Sequence, residues 1–192
     1  MYVRDARNRE EVWLLDHIEG MGLDDAAFRS RDYVIAVDES SNEKAGFGRI
    51  RIHRGEESAC ELTGIGVLEN WRGQGVGAHV VERLVGRADD EGFDTVYSLT
   101  DQPTYLTQFG FEPVEGDALP APLRERLDEK RETVGPDVVP VALDVGAFAM
   151  PTDRREAFKE APAEAEAEPA VEETPEDFGI DSESATYKYD TG

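Results

Sequence analysis

The segment Arg72-Gly73-Gln74-Gly75-Val76-Gly77-Ala78 is where residue types and spacing could do chemistry. An apolar run ending at Val67 feeds a turn with three glycines, and apolar residues at helical spacing follow from Val76. The first N–H groups of a helix have no internal partners, and the helix dipole adds positive potential there, so such a junction is an anion cradle. Glycine at 73, 75 and 77 lets the backbone approach a bulky phosphate, and Arg72 adds a fixed cation. A Walker A loop needs Gly-Lys followed by Ser or Thr, whereas this chain has Gly77-Ala78-His79. A dinucleotide fingerprint needs G-x-G-x-x-G opening a parallel βαβ unit. Here the spacing is G-x-G-x-G, after what reads as an antiparallel meander.

Alternating patterns give the elements that must carry this turn. Met1 to Arg4 reads as a short strand. Asn8 with Glu11 reads as a capping box opening a helix whose apolar stripe is Val12, Leu15 and Ile18. A short polar helix is expected around Asp24 to Phe28. Three strands follow, Tyr33 to Val37, Ala45 to His53 and Ala59 to Val67, joined by turns short enough for antiparallel pairing. Val76, Val80, Val81, Leu84, Val85 and Ala88 then mark a helix over about 75–91, and Asp94 to Leu99 is a strand reached by that crossover and so parallel to the third. Thr104 to Phe109 and Leu119 to Arg131 read as helices, and Val138 to Leu143 as a strand able to pair with Phe111 to Val114. The fold class is α+β, a mixed, mostly antiparallel central sheet with helices on both sides.

Arg72, Gly75 and Gly77 fill the Arg-x-x-Gly-x-Gly/Ala loop, and the Gly110-Phe111 strand and element order complete the pattern. The chain thus resembles the GNAT acetyltransferases over about residues 1–145, within a domain set at 1–150. The resemblance implies a GNAT fold and acetyl-CoA as cosubstrate, its diphosphate held on Arg72 and the main chain of Gly73, Gln74, Gly75, Val76, Gly77 and Ala78. It also implies that the pantetheine arm lies along the main chain near Ile65 and Val67. Many relatives take a general acid from a tyrosine four residues before the Gly of Gly-Phe. That place is Leu106 here, and Tyr105, one residue earlier, is rotated by about 100° on a helix. Tyr105 is a candidate acid, with packing under the helix as the alternative. Glu61 looks like the position from which several relatives take a base, with an ordinary surface carboxylate as the alternative. Over residues 94–132 the chain is also similar to the acetyltransferase domain of N-acetylglutamate synthases, which implies the α-amine of an amino acid such as glutamate as acceptor. Arg49 and Arg51 share a strand face with His53, and Arg29 and Arg31 precede the second strand. These four arginines are candidates for the acceptor carboxylates, or else partners of the many acids around them. Acetylation of protein N-termini or lysines, and a non-catalytic CoA-binding regulatory module, are the alternative functions.

With 43 Asp or Glu against 20 Lys or Arg, the formal charge of −23 disfavours nucleic acid as a partner. The acids are not confined to one end, since residues 151–192 hold 13 acids and 4 bases and the rest lie in the first 150. Only Lys44, Lys130, Lys159 and Lys188 are lysines. Such a surface resembles halophilic proteins, which work where the Debye length is about 3 Å or less. No apolar run suits a membrane span and the start is charged from Arg4, so no membrane association is expected and the cytoplasm is the default compartment. The single cysteine, Cys60, excludes a disulfide framework and a multi-cysteine metal site, is expected to be a small buried residue, and no metal is assigned. From Pro151 the Ala/Glu/Pro-rich text reads as a disordered acidic tail over 151–192, so a chain ending at Met150 is expected to keep its fold. Phe178, Ile180, Tyr187 and Tyr189 mark a terminal docking motif over 177–190, with a solvated tail as the alternative. The expected partner is a small-molecule amine; a homodimer and a protein partner for the tail are left open.

Overall fold

A computed structural model describes residues 1–164. Seven strands form one sheet: β1 (Tyr2–Asp5), β2 (Tyr33–Val37), β3 (Lys44–His53), β4 (Ala59–Val67), β5 (Thr95–Thr100), β6 (Glu112–Pro113) and β7 (Val139–Asp144). Their order is β1-β2-β3-β4-β5-β7-β6. The first four pair antiparallel, β5 joins β4 in parallel, and β7 pairs antiparallel with both β5 and β6. This is the mixed, mostly antiparallel sheet expected.

The helices are α1 (Glu11–Gly20), α2 (Val76–Asp90), α3 (Pro103–Thr107), α4 (Ala121–Thr133) and α5 (Thr152–Glu164). All five residues of β2 are buried because both faces of the sheet are covered. Val34 and Ala36 join Cys60, Leu62 and Val96 under the α2 residues Val80, Val81 and Leu84, and Leu106 of α3 belongs to the same core. Tyr33, Ile35 and Val37 face the other way, onto Leu14 and Ile18 of α1. Leu123 and Leu127 of α4 cover Ala59 and Leu99 on that second face. Cys60 is fully buried, and burial, with the Glu61 charge beside it, pushes its thiol up to about 12.

Four local expectations change. The α1 stripe is Leu14 and Ile18, while Val12 is 69% exposed. The carboxylate that caps this region is Glu10, not Glu11: it accepts from the Arg7 N–H at 2.8 Å and from the Arg4 guanidinium at 2.7 and 2.8 Å. Residues 24–28 form a loop, not a helix, with Ala27 at φ 52° and the Asp24 carboxylate accepting the Ala26 N–H. The largest change is at the C-terminal side. Thr152–Glu164 is a helix packed on the domain, with Phe158 and Ala161 buried in the α2 core. The Phe158 ring stacks on His79 at 3.7 Å between centroids, and Arg155 reaches Glu82 of α2 at 2.8 Å. Low average hydropathy concealed α5, because two apolar side chains carry its docking. The domain therefore extends past Met150, and the docking motif at 177–190 lies outside the described residues.

Phe158→Ala removes a buried aromatic face and should cost about 3 kcal/mol. Thermal denaturation should show a midpoint lowered by about 6–10 °C; an unchanged midpoint would mean that α5 does not contribute to the domain.

Candidate functional site

Two strands that pair and then separate create the site. β4 and β5 share register only at Cys60 with Val96 and Glu61 with Tyr97. Beyond that, Gly64 adopts φ +60° and the β3–β4 register shifts between Phe47 and Arg49, which turns β4 away from its neighbour. The opening is a cleft of about 870 Å³, lined by Ile65, Val67, Arg72, Gly77 and Tyr105 on the α2 side and by Asp24, Thr63 and Lys130 on the other. Separation strands main-chain acceptors, and side chains take them up: Ser98 Oγ donates to Leu62 O at 3.0 Å, and Lys130 Nζ donates to Leu99 O at 3.0 Å. Lys130 Nζ also donates to Thr63 Oγ1 at 3.1 Å, so one ammonium spans the gap between the strands.

At the α2 end, Trp71 is buried and anchors a turn in which the Arg72 N–H donates to Glu69 O and the Arg72 side chain to Val67 O at 3.4 Å. Gly73 and Gly75 have φ of +78° and +73°, the left-handed region where a side chain is strained. The next amide to find a backbone acceptor is His79, which donates to Gly75 O at 3.2 Å. The intervening amides, Gly73 to Ala78, have no protein acceptor among the described residues, although residues 75–78 are buried. The first amides of a helix have no internal acceptor, and those of Gly73 to Ala78, beside Arg72, could hold a diphosphate. The glycines also answer to neighbours within the protein. A Cβ on Gly75 would overlap the Arg154 carbonyl of α5, and one on Gly77 would meet Tyr105 Oη at 2.5 Å. Gly73 faces open space, so only its backbone angle demands glycine.

Glu61 is fully buried on the face opposite Cys60. Its Oε2 is 2.8 Å from His53 Nε2 and 3.6 Å from Arg126 Nε, and its Oε1 is 3.0 Å from Lys130 Nζ. Burial alone would raise its pKa, but the His53 hydrogen bond and the Lys130 charge outweigh that and hold it below the usual carboxylate range. Burial pulls Lys130 down, with the Glu61 charge acting against it. Glu61 does not line the cleft; it neutralises the lysine that does.

Tyr105 lines the cleft with its hydroxyl against Gly77, and burial raises its pKa. Leu106, which replaces the tyrosine of many relatives, is buried in the core. The four arginines separate. Arg49 is fully buried and donates to Ala26 O at 2.8 Å and Ala27 O at 3.4 Å, holding the 24–28 loop against β3. Arg31 is exposed, near Asn8 and Glu11. Arg29 and Arg51 meet in a second cavity of about 550 Å³, with His53, Arg54 and Arg126 and with the carboxylates of Asp32, Glu125 and Glu129. Arg29 pairs with Asp32 at 2.9 Å, whereas Arg51 has no carboxylate within 4 Å among the described residues and its buried Nη1 lacks a partner. Arg126, which pairs with Asp24, stands between the two cavities.

Lys130 and Arg126 were missed from sequence, yet a signal existed. Leu123, Arg126, Leu127 and Lys130 recur at helical spacing, so two cations share the buried stripe of α4.

Residues 3–111, more than half of the chain, match the model of the acetyltransferase (GNAT) family. The fold is similar to N-acetylglutamate synthase from Neisseria gonorrhoeae complexed with coenzyme A and N-acetyl-glutamate (TM-score 0.60, 15% identity), over 74% of this chain and 34% of that one. The chain thus spans about a third of that synthase's length. It is also similar to Rv2747 from Mycobacterium tuberculosis in complex with CoA and NLQ (TM-score 0.61, 17% identity, 75% of this chain and 99% of that one). A third likeness is Arabidopsis thaliana Naa50 in complex with the bisubstrate analogue CoA-Ac-MVNAL (TM-score 0.52, 14% identity, 73% and 96%).

Removing the carboxylate at position 61 would leave Lys130 and its neighbours buried without their counter-charge. Glu61→Ala should therefore cost about 3–5 kcal/mol in urea unfolding. Because the folded pKa of Glu61 is depressed, its contribution is complete above the ordinary value of 4.5 and is lost as pH falls through the folded value. The acid limb of stability against pH should be shallower in Glu61→Gln; an identical limb would show that the ion pairs do not form.

Proposed function

The chain belongs to the acetyltransferase (GNAT) family; we propose that it is an N-acetyltransferase that uses acetyl-CoA and that its acceptor is the primary α-amine of a free amino acid such as glutamate. One observation carries this reading. Arg72 and Lys130 line the strand opening, and Arg29, Arg51, Arg54 and Arg126 line the neighbouring cavity, in a chain whose formal charge is −23. Cations gathered against such a background suit a small carboxylated acceptor, and they would repel a cationic amine.

In this reading the amides of Gly73 to Ala78 and the Arg72 guanidinium hold phosphate, and the main chain at Ile65 and Val67 faces the arm of the cosubstrate. Acetyl-CoA supplies an activated thioester, and the acceptor nitrogen must be neutral to attack it. The Lys130 ammonium, held in the cleft wall by Thr63, Leu99 and Glu61, disfavours a second ammonium nearby and so lowers the acceptor's pKa. Glu61 contributes through Lys130 as a positioning residue. Tyr105, beside Gly77, contributes to the cosubstrate side. Arg51 and Arg29 serve the acceptor's carboxylates from the second cavity. Concentrated salt is proposed as the working medium, because it screens the acidic surface.

Release of CoA should be measured in molar KCl with free amino acids, arylalkylamines and short peptides as acceptors. Acidic amino acids are expected to turn over fastest. Turnover on peptides alone would transfer the reading to protein acetylation, and CoA binding without turnover on any acceptor would leave a binding module. Arg51→Ala should raise the acceptor KM about tenfold, by loss of a charged hydrogen bond, while leaving CoA affinity unchanged. An unchanged KM would remove Arg51 from the acceptor site.

A further inference from the structure

The helix α5 lies outside the residues that match the family, yet it is built against the phosphate cradle. Its backbone at Arg154 occupies the space where Gly75 would carry a side chain, and its Phe158 stacks on His79, whose ring Nδ1 lies 3.0 Å from the Gly75 carbonyl. Two residues of the helix thus bear on the turn by contact, Arg154 and Phe158, while Arg155 ties α5 to Glu82 further along α2.

We propose that α5 is a working part of the cosubstrate site, and that Arg154 supplies a side-chain cation to a phosphate group of CoA. This rests on the reading that the cradle binds CoA. Arg154 Nε donates to Gln108 Oε1 at 3.2 Å, which carries the guanidinium over the end of α3. Tyr105 of that helix places its hydroxyl against Gly77, and the Arg154 charge acts on it, opposing the rise that burial causes. The Arg154 charge thus reaches Tyr105, whose hydroxyl borders the cradle at Gly77. Its only carboxylate within 4 Å among the described residues is Asp153, which is 75% exposed and 3.7 Å away, so the cation is weakly neutralised. The side chain is 38% exposed, leaving its outer nitrogens accessible. Main-chain amides alone cradle a phosphate without adding net charge; in an acidic protein a full positive charge at the rim matters more than it would elsewhere.

The test is isothermal titration of the full chain with CoA and with dephospho-CoA, at one fixed KCl concentration. Arg154→Ala should weaken CoA about tenfold, the loss of one charge-assisted hydrogen bond, and Arg154→Lys should recover part of it. Gln108→Ala removes the same internal hydrogen bond but keeps the cation, and should bind CoA within about twofold of the parent. If the contact is to the 3′-phosphate, Arg154→Ala and the parent should bind dephospho-CoA equally. If it is to the diphosphate, both ligands should weaken alike. An Arg154→Ala chain that binds CoA as the parent does would overturn the proposal while leaving the cradle intact. Equal weakening in Gln108→Ala would reduce Arg154 to a structural tether and also overturn it. A parent chain that binds no CoA would instead sink the cofactor reading itself.

Discussion

The parting of β4 from β5 is the constraint on which the rest of the molecule depends. Adjacent strands of a sheet satisfy one another's main-chain groups, so strands that diverge must find other partners for them. Here Ser98 and Lys130 provide those partners, and Lys130 can be buried only because Glu61 lies 3.0 Å away. Glu61 in turn draws in His53 and Arg126, and Arg126 draws in Asp24 of the loop that follows α1. A chain of charges therefore begins with a geometric defect in the sheet and ends by fixing the loop that walls the cleft. The opening and the polar cluster form one structure, and neither is explicable without the other.

The glycine-rich turn meets two demands at once. Its amides from Gly73 to Ala78 have no protein acceptor among the described residues, while the missing side chain of Gly75 admits α5. A bulky substituent at Gly75 would thus disturb helix packing as well as any ligand, and loss of binding in such a variant would not separate the two. The same economy applies at Gly77, where Tyr105 takes the space, so α3 and α5 both register on the turn.

Sequence reasoning succeeded where the determining interactions are local. The conformation of the turn is legible because glycine and helix-start signals report main-chain geometry directly. The order β2-β3-β4-β5 follows from short connections and the helical crossover, whereas the pairing of β7 with β5 and of β1 with β2 has no such local signal. Failures came where distant side chains decide. Arg49 was read as a carboxylate binder, but carbonyls from the 24–28 loop, more than twenty residues earlier, claim it. Glu61 was read as a base, but a helix far along the chain supplies its cations. The sequence of α5 lacks the apolar content that patterns register, yet Phe158, stacked on His79 of α2, and Ala161 seat it.

Cys60 gives the architecture a practical use. It is the sole thiol in the chain, it sits fully buried beneath α2, and its pKa of about 12 leaves almost no thiolate at neutral pH. A thiol reagent must wait for that layer to lift before it can react. The rate of alkylation is thus a clock for the opening of the protein's interior, already wound into the native sequence.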